Sequence, residues 1–455
     1  MSIVFFIFEK KFLNFLLKNL HRAPIRRFFL TFGLKNDILL CDNVFWERSE
    51  QILKTVGIVC EYNPFHNGHA HQIDLLRQNG YELIVCAMSG NFTQRGELAI
   101  ADKYTRAQSA ALCGADIVVE LPFPFSSFSA EGFALAGVHI LSKLGVETLS
   151  FGSESADLSL LRKASDAACS DEFISAYSKA DKGVGAARSY FDTLSRFVEG
   201  DLSPLSNDIL GISYLSAIKN LGTGMDVFPI KRKGANYNER TLSGTENPSA
   251  TAIRNAVKDN ESGFFSLSST NMPHEALEVL KSAQADGRAP VFSEGIGKDI
   301  VSFFSLLTPA EIISRAISRS GGGDAVAEDG CGIVDRLCNA ARNSSNLYEF
   351  KSKAYNSRYT DARINRVILF AMLGVSNRFI KAVPQYTTLL AASDKGRNYL
   401  SEIRKGSAFP IITKPADAPD GCLTEILRAS DALYTRAMAN GLPTNYFLKK
   451  HPFLS

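Results

Sequence analysis

The sequence predicts an α/β protein in which a doubly wound parallel sheet is followed by a mainly α-helical C-terminal region. Three observations support this fold class. Short apolar runs rich in β-branched residues lie between turn-forming residues, which is typical of buried parallel strands. Helical stretches separate these runs at a spacing of about 30 residues, the length of a βαβ unit. After Lys258 this alternation gives way to helical periodicity alone.

The individual elements follow in chain order. Predicted strands lie at residues 55–60, 82–88, 116–121, 148–151 and 227–230. Predicted helices lie at residues 71–78, 106–113, 276–283, 295–306, 309–319 and 333–343. The glycine-rich polar stretch at 320–330 is typical of a flexible insertion. Since ligands in such sheets bind beyond the carboxyl ends of the strands, the polar loops that follow the strands should converge on one site.

The composition is that of a globular protein with more than one domain. The chain has 455 residues, of which 45% are hydrophobic, so it can bury a large core. A formal net charge of +3 is close to balance, so RNA binding would need a local basic patch. The eight cysteines include no CxxC pair, which indicates reduced thiols in a cytosolic protein and argues against a zinc site.

Residues 1–52 depart from the pattern of the rest of the chain. The apolar run at residues 3–8 precedes its basic residues, which is the reverse of a signal peptide, and Glu9 and Lys10 interrupt it too early for a transmembrane helix. A basic amphipathic surface helix is one interpretation. We favour the other, a dispensable extension or a start codon assigned too far upstream, and expect no stable membrane association.

His66-Asn67-Gly68-His69 is the first motif that carries chemistry. It follows the first predicted strand and precedes a helix, where free backbone N–H groups favour anions. Gly68 lets the backbone approach a phosphate, and the two imidazoles can donate hydrogen bonds to a pentavalent phosphoryl transition state. Two histidines in a loop are more often exposed bystanders, so it is the position after a strand that favours nucleotide binding.

A second segment, at residues 248–254, also suits phosphate. Ser249 or Thr251 can cap a helix, and the hydroxyls, the helix N-terminus and the Arg254 guanidinium all offer hydrogen-bond donors. An ordinary N-cap followed by a surface arginine would be the simpler interpretation of this segment alone. Its pairing with the histidine motif favours a triphosphate site.

Both segments resemble those of the HxGH nucleotidyltransferase superfamily, in which the motif follows the first strand of a Rossmann-like domain, binds ATP and promotes attack on the α-phosphate. The resemblance narrows to the bacterial tRNA(Met) cytidine acetate ligases. The stretches that carry it are EYNPFHNGH (61–69), MSGNFTQRGE (88–97), ELP (120–122), FGSE (151–154), SNDILG (206–211) and IKR (230–232). Together with residues 248–254 they occur in this order and are jointly specific.

The resemblance implies an ATP-dependent ligase. Acetate and ATP would form acetyl-adenylate with release of pyrophosphate, and the acetyl group would pass to the N4 amine of the wobble cytidine in the anticodon region of elongator tRNA(Met). An ionised carboxylate needs no general base for this attack. Because no acidic metal cluster stands out, Mg²⁺ would be carried on ATP. We expect no DNA partner and a cytoplasmic location.

Carried over position by position, the resemblance also assigns site residues. His66 and His69 would be catalytic. The nucleotide would contact Val59, Cys60, Glu61, Tyr62, Asn63, Pro64, Phe65, His66, Asn67, Gly68, His69, Ala70, His71, Gln72, Gly152, Asn207, Arg232, Ser249, Thr251 and Arg254. Taken singly, Gly152, Asn207 and Arg232 could equally be a turn glycine, a helix cap and a surface charge. Arg95, Lys103 and Arg106 are weaker candidates.

A basic, aromatic segment in the second half is a candidate RNA contact. Arg358, Tyr359, Arg363 and Arg366 could bind phosphates and stack on a base, and a similar segment occurs in the ligase family. A charged helix N-terminus with ordinary salt bridges is the alternative. We therefore divide the chain into an atypical extension (1–52), an HxGH nucleotidyltransferase-like ATP-binding domain (53–258) and a mainly helical domain that is a candidate for tRNA binding (259–455).

Two other functions fit parts of this pattern. A nucleotidyltransferase acting on a small phosphorylated metabolite would use the same two motifs, although it would not need the long helical second half. A non-catalytic RNA-binding protein could retain a nucleotide-binding fold. The near-neutral charge and the intact pair of His66 and His69 argue against this second alternative.

Overall fold

The first five strands form the parallel part of the sheet and lie where the sequence predicts them. A computed structural model describes residues 53–180, 186–200, 202, 206–232, 249–268, 270–330, 332–356 and 359–455. The strands are β1 (Thr55–Cys60), β2 (Leu83–Ser89), β3 (Ile117–Leu121), β4 (Thr148–Ser153) and β5 (Asp226–Lys231). Their order across the sheet is β5-β4-β1-β2-β3, and neighbouring strands in this set are parallel.

Burial explains why these segments form strands. Every residue of β2 and β3 is buried, as expected for apolar, β-branched runs that are covered on both faces. β1 pairs with β2 on one side and with β4 on the other, so the winding direction reverses between β1 and β4. A crevice opens at the carboxyl ends of strands at such a switch point. The loops that carry the predicted motifs leave the sheet at this edge.

Helices connect these strands, and some of them pack on the sheet. They are α1 (Asn67–Gln78), α2 (Lys103–Leu112), α3 (Ala130–Lys143), α4 (Leu158–Ala168), α5 (Asp171–Lys179), α6 (Ala186–Leu194) and α7 (Ser206–Leu221). α3 packs against β1, β2 and β3, and α7 packs against β4. The strand–helix alternation therefore produces the predicted layered arrangement.

The second half of the chain is mainly helical, as predicted. Its helices are α8 (Ala250–Lys258), α9 (His274–Ala285), α10 (Gly297–Leu306), α11 (Pro309–Ser320), α12 (Ile333–Arg342), α13 (Leu347–Ala354), α14 (Asp361–Leu373), α15 (Asp394–Gly406) and α16 (Cys422–Arg436). The α/β fold class with a doubly wound sheet and a helical C-terminal region is confirmed.

The C-terminal region also extends the sheet, which the sequence analysis did not foresee. β6 (Thr387–Ala392) pairs antiparallel with β3, and the two-residue strands β7 (Ile411–Ile412) and β8 (Phe453–Leu454) pair parallel with β6. β6 is buried throughout, but it is a single short apolar run among helices. Periodicity cannot distinguish such a run from a segment of buried helix.

The glycine-rich stretch after α11 is packed, contrary to the expectation of a flexible insertion. Val326 and Ala327 are buried, and the Ala327 N–H donates to the Val375 carbonyl at 2.9 Å. The hydroxyl of Ser376 donates to the carbonyl of Gly322 at 2.6 Å. Two apolar residues inside a polar stretch are enough to anchor it in the core, and composition alone underestimates this contribution.

Residues 53–455 pack as one compact unit. The predicted extension at residues 1–52 lies outside the described part of the chain, and the boundary near Lys258 stays a prediction. Among the described residues no single helix is long and apolar enough to cross a membrane. One sharply bent helix pair, Ser293–Leu306 and Pro309–Ser320, passes that test by length and composition only.

Candidate active site

The histidine motif caps the first helix of the sheet. His66 is the N-cap of α1 in extended conformation, and its Nδ1 accepts the Gly68 N–H at 3.1 Å. The His66 N–H donates in return to Nδ1 of His69 at 3.3 Å, which completes a capping box. A Cβ at Gly68 would lie 2.9 Å from Cε1 of His66, so glycine makes room for the folded-back ring.

This capping box defines how both histidines carry their protons. Because each Nδ1 accepts a backbone N–H, the neutral imidazole carries its proton on Nε2. The two rings stack with centroids 3.8 Å apart and planes 25° apart. The arrangement therefore offers two parallel Nε2–H donors beside the N-terminus of α1, where an anion is already favoured.

Burial keeps both rings neutral. Burial first, and then the positive charges of Arg232 and Arg254, together lower the pKa of His66 to about 3. The pKa of His69 is lowered well below its ordinary value by burial first, then by His66 and by Arg232. At neutral pH the pair can donate hydrogen bonds but does not act as a pair of cations.

The Ser/Thr/Arg segment begins α8. The Ser249 hydroxyl accepts the Ala252 N–H at 3.1 Å and caps the helix, as predicted for one of the two hydroxyls. The guanidinium of Arg254 donates to the Asn63 carbonyl at 2.9 Å and to the Thr251 hydroxyl at 3.2 Å. Arg254 thereby joins α8 to the loop that leads from β1 to α1.

A third group of residues closes the β4 side of the cleft. The Arg232 guanidinium lies 3.5 Å from Oδ1 of Asn207, and the Asn207 amide donates to Glu154 at 2.5 Å. Gly152 faces Arg232, because a Cβ placed on Gly152 would lie 3.4 Å from Cγ of Arg232. The three predicted residues Gly152, Asn207 and Arg232 are thus neighbours.

Most of the residues predicted to bind nucleotide line one cleft. Those that do so are Val59, Cys60, Glu61, Tyr62, Asn63, His66, Gly68, His69, His71, Gln72, Gly152, Asn207, Arg232, Ser249, Thr251 and Arg254. Four predicted residues are not in its lining, namely Pro64, Phe65, Asn67 and Ala70. Phe65 is buried beneath the rings of Tyr62 and His69, and the Asn67 amide donates to the Thr270 carbonyl at 3.0 Å.

Several residues of the lining were not assigned from the sequence. They are Ile58, Gln94, Phe133, Phe151, Leu210, Tyr214, Ile230, Lys231 and Ala250. Gln94 belongs to the polar loop after β2, and its N–H donates to Glu61 at 2.8 Å. The position of this loop at the end of a strand was the available signal. The aromatic residues come from helix faces and a strand end whose direction the pattern does not define.

The three weaker candidates separate into two groups. Arg95 is exposed and lines the cleft. Lys103 and Arg106 are each 1% exposed and lie outside the lining. Arg106 donates only to backbone carbonyls, among them those of Ala101 and Ser89. A buried guanidinium committed to carbonyls holds loops in place and cannot reach a phosphate.

The candidate RNA segment lies at the start of α14. Arg358 is outside the described residues. The Arg363 guanidinium sits 5.3 Å from the centre of the Tyr359 ring and donates to the Glu328 carbonyl at 3.0 Å. Arg366 is 8% exposed and pairs with the Glu328 carboxylate at 2.7 Å. This buried pair favours a structural role for Arg366, whereas Tyr359 and Arg363 lie nearer the surface.

Among the described residues, no group of three or more His, Cys, Asp or Glu side chains is arranged to hold a metal ion. The donors gathered in the cleft are instead backbone N–H groups, imidazoles and guanidiniums. Such a set is suited to the oxygens of a phosphate chain.

A doubly wound sheet with a histidine capping box at its switch point defines an α/β nucleotidyl transferase. Comparisons with known proteins agree. The family model for HIGH nucleotidyl transferase matches residues 53–444. A Thermosipho africanus protein named tRNA(Met) cytidine acetate ligase is 36% identical over 83% of this chain and 89% of its own length. A protein of the same name from Caldanaerobacter subterraneus is 35% identical over 80% of this chain and 89% of its own length.

A solved structure shows the same likeness in three dimensions. The crystal structure of Thermotoga maritima TmcAL bound with alpha-thio ATP has a TM-score of 0.75 and 28% identity, covering 88% of this chain and 99% of that one. The chain therefore belongs to the HIGH nucleotidyl transferases and, among them, to the tRNA(Met) cytidine acetate ligase family.

Proposed function

We propose that this protein is an ATP-dependent ligase that acetylates the N4 amine of the wobble cytidine in elongator tRNA(Met). The proposal depends most on one observation, the stacked pair of neutral histidines whose Nε2–H groups are available beside the N-terminus of α1. The names of the relatives support the choice of tRNA as the acceptor and of acetate as the source of the acyl group. The proposal places the reaction in the cytoplasm, where tRNA is found.

In the first step, acetate is activated. A carboxylate oxygen of acetate attacks the α-phosphorus of ATP, a new P–O bond forms, and the bond from this phosphorus to the bridging oxygen breaks. Pyrophosphate leaves with that electron pair, and acetyl-adenylate remains. No proton moves in this step, because acetate is already ionised near neutral pH.

The residues of the cleft supply charge stabilisation for this step. The Nε2–H groups of His66 and His69 donate to the phosphoryl oxygens as negative charge develops on them. Arg254, held by Asn63 and Thr251, faces the leaving pyrophosphate. Gly152, Asn207 and Arg232 hold the nucleoside end, where the absence of a Cβ on Gly152 permits close approach.

Magnesium is expected to arrive on the triphosphate. Mg²⁺ requires oxygen ligands, and Glu61 is the carboxylate of the described cleft lining. Its Oε1 already accepts the Gln94 N–H, and burial raises its pKa. The phosphates themselves therefore provide the main ligands for the ion, and its positive charge would add to that of Arg254.

In the second step, the N4 amine of cytidine attacks the acetyl carbonyl carbon, AMP leaves, and the amine loses a proton. The position of the candidate RNA segment supports a role in this step. A Cβ at Gly96 would lie 2.5 Å from the backbone nitrogen of Arg366. The first half of α14 therefore packs directly on the loop that carries Gln94 and Arg95 into the cleft. Tyr359 and Arg363 of the helical C-terminal domain would thus meet RNA near the activated acetyl group.

Acetate-dependent exchange between ATP and labelled pyrophosphate tests the activation step. We expect exchange with acetate, weaker exchange with propionate, and none without a carboxylic acid. Exchange supported by a phosphorylated metabolite instead of acetate would favour a metabolite nucleotidyltransferase. Absence of exchange with every acid would favour a non-catalytic RNA-binding protein and would contradict the proposal.

A further inference from the structure

A buried ionic cluster joins the C-terminal helix α16 to the nucleotide half of the protein. The Lys103 ammonium lies 2.8 and 3.1 Å from the two oxygens of Glu120, and 2.9 and 3.1 Å from those of Asp431. All three side chains are 8% exposed or less. Lys103 begins α2, Glu120 lies near the end of β3, and Asp431 belongs to α16.

The cluster is tied to the loop between β2 and α2 through Asn91. The Asn91 amide donates to Oδ1 of Asp431 at 2.9 Å, and its Oδ1 accepts the Lys103 N–H at 2.9 Å. Both the amide nitrogen and the amide oxygen of the Asn91 side chain are therefore hydrogen-bonded. Gly90 is also constrained, because a Cβ there would lie 2.6 Å from a Glu120 oxygen. Asp431 thus reaches the first residues of the loop directly.

A second contact from α16 holds the far part of the same loop. The buried hydroxyl of Tyr434 donates to the Ala99 carbonyl at 2.7 Å. Asp431 and Tyr434 lie three positions apart, on one face of α16. Between these two anchors the loop carries Gln94 and Arg95 into the lining of the cleft. The helix and the cleft are therefore connected through a few well-defined bonds.

The Lys103 ammonium pairs with both carboxylates of the cluster, and the buried Arg106 lies one helical turn further along α2. Arg106 donates to the carbonyls of Glu61, Ser89 and Gly90, so it joins the loops that follow β1 and β2. Removing one partner from a buried ionic set leaves an uncompensated charge, whereas an apolar replacement of the whole set is often as stable. A polar cluster at this place is therefore better explained by its effect on geometry than by stability.

We propose that Asp431 is a positioning residue for the ATP cleft, which acts through Asn91 and Lys103 on the loop that presents Gln94 and Arg95. The C-terminal domain would then determine nucleotide affinity as well as contact RNA. This inference rests on the proposed function only in taking the cleft as the ATP site. It does not depend on the identity of the acid or of the tRNA.

Isothermal titration of the full chain with ATP and Mg²⁺, without acetate or tRNA, tests the inference. Calorimetry separates the dissociation constant from the fraction of competent molecules, so partial unfolding changes the stoichiometry and not the affinity. We expect Asp431→Asn to weaken ATP binding about tenfold, because the amide removes the charge and one of the two oxygens that hold Lys103 and the Asn91 amide. Asn91→Ala breaks the same link while leaving the ionic cluster intact, and it should have a similar effect.

The double variant and a control make the test specific. If both residues act through one link, Asn91→Ala with Asp431→Asn should weaken binding about tenfold in total and not a hundredfold. Arg436→Gln in the same helix removes only an exposed pair with Asp299 and should bind ATP as the wild type does. Unchanged affinity in Asn91→Ala or in Asp431→Asn, whatever the stoichiometry, would overturn the inference.

Wild-type exchange measurements keep the two proposals apart. If the wild type binds ATP but shows no acetate-dependent exchange, the proposed function fails while the positioning inference is still decided by the calorimetry. If exchange is normal and the variants bind ATP like the wild type, the positioning inference alone fails.

Discussion

The imidazoles of His66 and His69 stack with their centroids 3.8 Å apart. Nδ1 of His66 accepts the Gly68 N–H, and Nδ1 of His69 accepts the His66 N–H. Two charged rings could not stack so closely in a buried site without strong repulsion. The neutral state of both rings and the position of their protons on Nε2 therefore have the same structural origin, the capping box of α1. This relationship leads to the first two predictions.

Loss of either Nε2–H donor should reduce catalysis without unfolding the protein. His66→Asn keeps a strong N-cap, and His69→Gln keeps the reciprocal acceptor of the capping box. We expect the rate of acetate-dependent ATP–pyrophosphate exchange to fall by about 100- to 1000-fold in each, the usual effect of removing one donor to a developing charge. His274→Asn, an exposed histidine at the start of α9, serves as the control and should exchange normally.

The stability of the protein should depend on pH through His66. In the folded state its pKa is about 3, because burial, Arg232 and Arg254 disfavour the charged form, whereas the unfolded chain has the ordinary value of 6.5. The unfolded state therefore binds more protons between these values, and the stability present above pH 6.5 is lost as the pH falls. Relative to His66→Asn, the wild type should lose about 1 kcal/mol in the free energy of unfolding between pH 7.5 and 5.5. If the free energy of unfolding changed equally with pH in the two proteins across this range, the result would contradict a buried, neutral His66.

A methyl group at position 152 should affect the nucleotide more than the protein. In Gly152→Ala the added Cβ meets Arg232 at 3.4 Å, an ordinary contact, so the thermal midpoint should change little. The methyl group would instead occupy the space into which the nucleoside is proposed to fit, and ATP affinity should fall at least tenfold. Gly406→Ala is the matched control, since its Cβ meets nothing within 4 Å. Equal ATP affinity in both variants would show that the nucleoside lies elsewhere.

The planar guanidinium of Arg254 should matter beyond its charge. Lysine at this position retains the charge but lacks the planar fork of N–H groups with which the guanidinium reaches both the Asn63 carbonyl and the Thr251 hydroxyl. We expect Arg254→Lys to raise the KM for ATP about tenfold in the exchange reaction, which corresponds to about 1.4 kcal/mol. Arg188→Lys, at an exposed pair on α6, should leave it unchanged. If the KM for ATP rose equally in both variants, Arg254 would not be part of the ATP site.

The parts of the fold that the sequence predicted are those determined by local patterns. The parallel strand at 55–60 is a run rich in β-branched residues, and the strand at 116–121 has an apolar centre between Asp116 and Glu120. The carboxyl ends of such parallel strands had to meet at one edge. β6 was missed because a six-residue run such as Thr387–Ala392 gains its strand conformation from pairing with β3, a contact distant in sequence. Propensity does not encode such a pairing.

The same limit applies to the site. The two motifs were recognisable because their residues are adjacent in sequence and their chemistry suits phosphate. Lys103 and Arg106 carry suitable charges and follow the same polar loop, but both are buried. Lys103 lies between Glu120 of β3 and Asp431 of α16, and Arg106 donates to backbone carbonyls. The environment of a charged residue depends on which distant segments cover it. The sequence pattern shows that a residue is charged, but it does not show which segments bury it.

The most direct test of the central claim follows labelled acetate into RNA. The wild type would be incubated with ATP, Mg²⁺, labelled acetate and bulk bacterial tRNA, and elongator tRNA(Met) would then be isolated, digested to oligonucleotides and analysed by mass. We expect N4-acetylcytidine at the wobble position of elongator tRNA(Met), dependent on ATP, with pyrophosphate released in equal amount and both lost in His69→Gln. Label absent from RNA, or retained in full by His69→Gln, would contradict it.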